Sequence, residues 1–366
     1  MRKKRKTKRI KIELQTPASK NLQDAEITNY LSRLFSYSYK LESIHNFSKE
    51  ISKTEHSSNL IIFNQSFSYD HSYRNLRNSQ LTENKIYSLL NIGLPFSLEP
   101  NEYIFRLRSS YVFLNRLYDA KKGDVKVGFR RTWFWNNFRN FLSNDFIETI
   151  EKYQNHEIIK KASTASKNSI KRLAEEIKTN YLLEKPAYSI RRKKKEKNSF
   201  KTTKTFLNLV NNLHRPIFAK LDENKIVFLN LDLIKKNHPN SRLVHLRQLT
   251  HENPWRILVE GTGVLLRHFL ESEKRNLDNI LLQAKISNEE KEAALKDLKI
   301  LQEVLSTLDK LNSNNPNLPK TYHDTIKDLA LIQLEKTSKD IKRRASQINQ
   351  ETPVKMINGS IIDIEV

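Results

Sequence analysis

The chain has 366 residues, no cysteine, six glycines and a formal charge of +24, from 65 Lys and Arg against 41 Asp and Glu. A chain of that length buries a core without covalent staples, and the lack of cysteine excludes disulfides, zinc ribbons, iron–sulfur clusters and thiol catalysis. The glycines assemble neither a GxxxxGK[ST] loop nor a GxGxxG turn, which excludes P-loop motors and dinucleotide-binding turns as well.

The opening MRKKRKTKRIKIELQ joins a Lys/Arg block to an alternating RIKIELQ and lacks the apolar run of a secretory signal. Residues 1–19 therefore read as a basic N-terminal arm. The first periodic segment follows, with Ile27, Tyr30, Leu34, Leu41, Ile44 and Ile51 at helical spacing and Asp24 as a cap. Within the polar stretch behind it, NLIIF has the composition of a short strand. Helical spacing returns with Ile104, Leu107, Tyr111, Leu114, Leu117 and Tyr118.

VKVGF then reads as extended, and Thr132 as the cap of a helix running to about 153. On a helical wheel Phe134, Trp135, Phe138, Phe141, Leu142 and Phe146 share one arc, which makes them a core stripe. Trp133 falls outside that arc. It either packs on the preceding helix or, beside Arg130 and Arg131 at a positive helix end, stacks on a base.

A single helix is expected over 157–184, its outward side bearing Lys160, Lys161, Lys167, Lys171, Arg172 and Lys178. KPAY ends it, because proline cannot continue a helix. The run Arg191, Arg192, Lys193, Lys194 and Lys195 then marks 187–204 as a basic linker. Beyond it, IFAKLDENKIVFL reads as a hairpin, SRLVHLRQL as a strand or short helix, and WRILVEGTGVLLRHFL as helical on both sides of EGTG. The last third spaces Ala294, Leu298, Leu301, Leu305 and Leu308 at near-heptad intervals, followed by NNPNLP and a final helix, together a C-terminal helical hairpin.

The expected fold is mainly α, with a small antiparallel β element near 216–247. Its domains are a helical, aromatic-rich one over 20–186 and a mixed, then helical one over 205–350, with a tail at 351–366. No membrane-spanning helix is expected, since no apolar run approaches the roughly eighteen residues one needs.

A charge excess of this size favours a polyanionic partner. Four basic regions, at 2–9, 160–178, 191–197 and 342–344, point to nucleic acid held mainly by phosphate contacts, in a non-catalytic subunit or accessory factor of an intracellular assembly. The expected location is the cytoplasm, including a nucleoid, or the nucleus. No cofactor and no metal site is expected, because no HExxH or similar spacing occurs.

Two rival readings have their own residues. Asp222, Asp232 and Lys235 lie on the 216–236 hairpin, an order that resembles in outline the PD-(D/E)xK nucleases, which hold a divalent cation between such groups. The pattern departs from that class, since two residues separate Asp232 from Lys235 and no Pro-Asp precedes them. The other rival is a protein-interaction scaffold or effector docking through the Leu-rich helix at 287–311.

Overall fold

The computed structural model describes residues 6–16, 24–67, 78–80, 89–90, 92–120, 127–143, 145–155, 157–160, 162–184, 192–222, 225–229, 245–250, 256–261, 264–269, 271, 319–351 and 355–365. In chain order, the elements of the first half are β1 (Lys6–Gln15), α1 (Asp24–Lys53), β2 (Leu60–Phe63), β3 (Asn78–Gln80), β4 (Pro95–Ser97), α2 (Glu102–Ala120), α3 (Val127–Ser143), α4 (Phe146–Gln154), α5 (Glu157–Lys160) and α6 (Thr164–Glu184). Then come α7 (Arg192–Asn212), β5 (Phe218–Asp222), β6 (Lys225–Phe228), β7 (His245–Thr250), β8 (Arg256–Gly261), α8 (Pro319–Glu351) and β9 (Lys355–Glu365). The fold is mainly α with small antiparallel sheets, as expected.

The chain forms two compact units, Met1–Ser48 with Leu231–Val366, and Lys49–Asn230. The second is thus inserted into the sequence of the first, and the segment 187–204, expected to divide two domains, lies inside it. Charge is shared unequally. The inserted unit holds 33 Lys and Arg against 18 Asp and Glu, or +15 of the total +24.

In the first unit four antiparallel strands are ordered β7-β8-β1-β9. The expected arm is therefore, over residues 6–15, an interior strand, and the expected tail at 351–366 is its neighbour over residues 355–365. RILVEG, expected to be helical, supplies β8. The alternation of RIKIELQ carries the physical reason: Ile10, Ile12 and Leu14 are buried while Lys11 between them is exposed, the period of a strand with one covered face.

Helix α1 buries Ile27, Tyr30, Leu34, Leu41, Ile44 and Ile51 as the spacing predicted. Its residues 38–44 are all buried, so about two turns are covered on every side, polar groups included. Among them the Glu42 carboxylate accepts the N–H of Val264, where the helical residues 264–269 begin and a backbone donor needs a partner. Burial pushes the Lys40 ammonium down to about 8, with repulsion from Arg344 adding to it. Helix α8 lays one stripe inward, Ile326, Ala330, Leu334, Ile341, Ala345 and Ile348. The Leu-rich segment 287–311, the other arm of the expected hairpin, lies outside the described residues.

In the inserted unit five antiparallel strands are ordered β3-β6-β5-β2-β4. The expected hairpin is β5–β6, and NLIIF supplies β2, buried at all four residues and paired along its two edges by β4 and β5. Helix α7 closes on this sheet: the Phe206 ring lies 6.4 Å from that of Phe218, and the Thr203 hydroxyl donates to the Leu98 carbonyl at 2.9 Å.

The helices α2, α3, α4 and α6 share one aromatic core, with Phe134, Phe138, Phe141 and Phe146 fully inside it, as the wheel predicted. Two helices expected to be continuous are broken by polar caps. Asp145 accepts the N–H groups of Ile147 and Glu148 at 2.9 and 3.0 Å, starting α4, and Ser163 accepts that of Ser166 at 3.3 Å, starting α6. The first break lets α4 return Ile150 and Tyr153 to the core.

Candidate nucleic-acid interface

The basic run expected to be a linker is the beginning of α7, and helical register changes its meaning. Thr203, Phe206 and Val210 are buried on one side of α7, while Lys201 and Lys204 are exposed on the other. Stepping back from Lys201 at 100° per residue, Lys193, Lys194 and Lys197 fall with Lys201 and Lys204 in an arc of about 100°. That arc lies opposite the buried side and extends for roughly 16 Å along the axis. Arg192 and Lys195 fall instead in the register of the buried residues, and Arg191 lies outside the described residues. Lys201 and Lys204 were missed in the sequence reading because they sit beyond the dense run that ends at Lys197, in ordinary helical sequence.

The second basic region divides in the same way. Lys160 ends α5, exposed, and Lys171 and Arg172 are exposed on α6, whereas Lys167 is half-buried and Lys161 lies outside the described residues. Lys178 is taken by Glu151 at 3.2 Å and Glu175 at 3.1 Å. The available charge of α6 is therefore concentrated in its N-terminal half, where the helix dipole has the same sign. The remaining two regions, 2–9 and 342–344, belong to the first unit.

Helix α3 begins at Val127, five residues before the expected cap at Thr132, because VGF joins the helix instead of preceding it as a strand. Arg130 and Arg131 thus lie within the first two turns, and their side chains are outside the described residues. Trp133 packs against the core with its ring 5.6 Å from that of Tyr118 on α2, the packing alternative weighed for it.

Of the acids proposed for catalysis, Asp222 is exposed at the end of β5 and faces Lys225 across the hairpin. Asp232 and Lys235 lie outside the described residues. Among the described residues no group of three or more His, Asp or Glu side chains is placed to hold a metal ion, and no helix is long and apolar enough to cross a membrane.

One concave site was not foreseen. Between α2 and α6 opens a groove of about 630 Å³. Its floor is half-buried Tyr111, Val112 and Leu173, and its exposed rim carries Arg116, Asp119, Asn168, Arg172 and Glu176. No sequence motif marks it, because its residues come in i, i+4 steps from two helices and meet only when these pack. Comparison with protein-family models, curated proteins and solved structures returned no match.

Proposed function

We propose that the inserted unit binds nucleic acid through phosphate contacts, making the chain a non-catalytic binding protein and a subunit or accessory factor of an assembly that handles DNA or RNA. The observation that carries this reading is the lysine stripe of α7, five residues in one arc opposite the buried side of the helix, in a unit of net charge +15. Lysines spaced along roughly 16 Å of helix can each neutralise a phosphate, and the condensed cations they displace enter solution. The gain from that release falls as salt rises.

Fluorescence anisotropy of labelled DNA and RNA oligonucleotides, titrated between about 50 and 200 mM salt, tests the reading. Five phosphate contacts predict an affinity loss of roughly 10²- to 10³-fold over that range. Absence of binding to every strand at low salt would overturn the proposal, and so would an affinity indifferent to salt, which belongs to apolar association.

A further inference from the structure

We infer that the groove between α2 and α6 holds one nucleotide of an unpaired strand, so that the preferred ligand of the inserted unit is single-stranded nucleic acid; this rests on the phosphate-binding role proposed above. The volume of about 630 Å³ lies inside the roughly 300–1,000 Å³ of small-ligand sites. Its floor offers an aromatic ring fixed by its own packing, since Tyr111 meets Phe134 edge-on at 5.3 Å. A base can lie on such a surface whatever its sequence.

The rim decides the class of ligand. It carries two guanidinium groups, Arg116 and Arg172, and two carboxylates, Asp119 and Glu176. Two charges of each sign give neither a polyphosphate nor a bare cation a net attraction to this rim. A nucleotide brings a phosphate for the arginines and base amino or imino N–H groups as donors to the exposed Glu176 carboxylate. In a duplex those base edges are already paired, so they reach the groove only from an open strand. The lysine stripe lies on α7, which packs against α6. A strand is thereby favoured over a peptide, because phosphates flanking the seated nucleotide meet further positive charge in the same unit.

The test uses the full chain, a 20-nucleotide single strand of mixed sequence, the matching duplex and free AMP. Asn168→Trp fills the groove from its rim, and Glu176→Lys removes a base acceptor while adding positive charge; both positions are exposed, and thermal melts establish that folding is kept. The inference expects both substitutions to weaken single-strand binding about tenfold, with duplex binding unchanged by the tryptophan. Tighter single-strand binding by Glu176→Lys would overturn it and leave the phosphate-binding proposal standing. Saturable AMP binding by a chain whose strand affinity neither substitution alters would also overturn it, in favour of a free nucleotide. Failure of the parent chain to bind any strand or duplex removes the proposed function itself.

Discussion

Lys40 sits at 7% exposure in the middle of α1, and its ammonium titrates near 8 because burial disfavours the charge and Arg344 repels it. In the unfolded chain the same group keeps its ordinary value of 10.5. Between these values the unfolded state binds more protons than the native one, so stability rises with pH across that window. Above about 10 Tyr30 begins to oppose it, since burial raises its hydroxyl and holds its proton in the native state. Urea unfolding at pH 7, 8 and 9 is therefore expected to show the first unit gaining up to about 1.4 kcal/mol per pH unit above 8. In Lys40→Met that gain disappears. A parent midpoint that is flat over this range would mean that Lys40 keeps its ordinary titration in the fold. Lys40 was not legible as a special residue, because a wheel shows which side of a helix is apolar and not that neighbours cover every side.

At the scale of elements, legibility followed the range of the contacts that make each one. Helices α1 and α2 and the β5–β6 hairpin were readable because spacing and turn residues within some twenty positions specify them. β1 and β9 were not: the partners of RIKIELQ lie more than 240 residues away, and an alternating segment without a visible partner resembles a charged arm. The aromatic stripe of α3 was readable as core, while the breaks at Asp145 and Ser163 were missed because a continuous apolar period hides a cap within it. The run 191–197 failed for another reason: dense like charge resembles a solvated hinge, and only α7's downstream anchors, Thr203, Phe206 and Val210, carry the helix back through it. Helix and linker predict different responses to proline. Asn198→Pro leaves the charge unchanged but interrupts α7 in its interior at a cost of about 3 kcal/mol. If the lysines act in helical register, single-strand affinity at low salt falls about tenfold or more; a flexible tether would bind as before.

At the scale of the molecule, net charge alone does not distinguish a binding surface from a solubilising one. The chain carries a control within itself. On α8, in the first unit, Lys336, Lys339, Lys342 and Arg343 equal in charge the four lysines 194, 197, 201 and 204 of α7. Two of the α8 cations already have partners on their own helix, Lys339 with Glu335 at 3.1 Å and Arg343 with Asp340 at 3.5 Å. Such exposed pairs contribute little to stability, yet they place an anion beside each cation and weaken its attraction for phosphate. Replacing either set with glutamine removes the same four charges from the whole chain. If net charge drives binding, the two variants lose affinity equally. If the α7 stripe is the contact surface, its removal lowers the slope of log affinity against log salt by about 3 to 4, while the α8 variant keeps the parent slope within about one contact. Equal slopes in the two variants would locate the attraction in the long-range field of the protein and not in a bound interface.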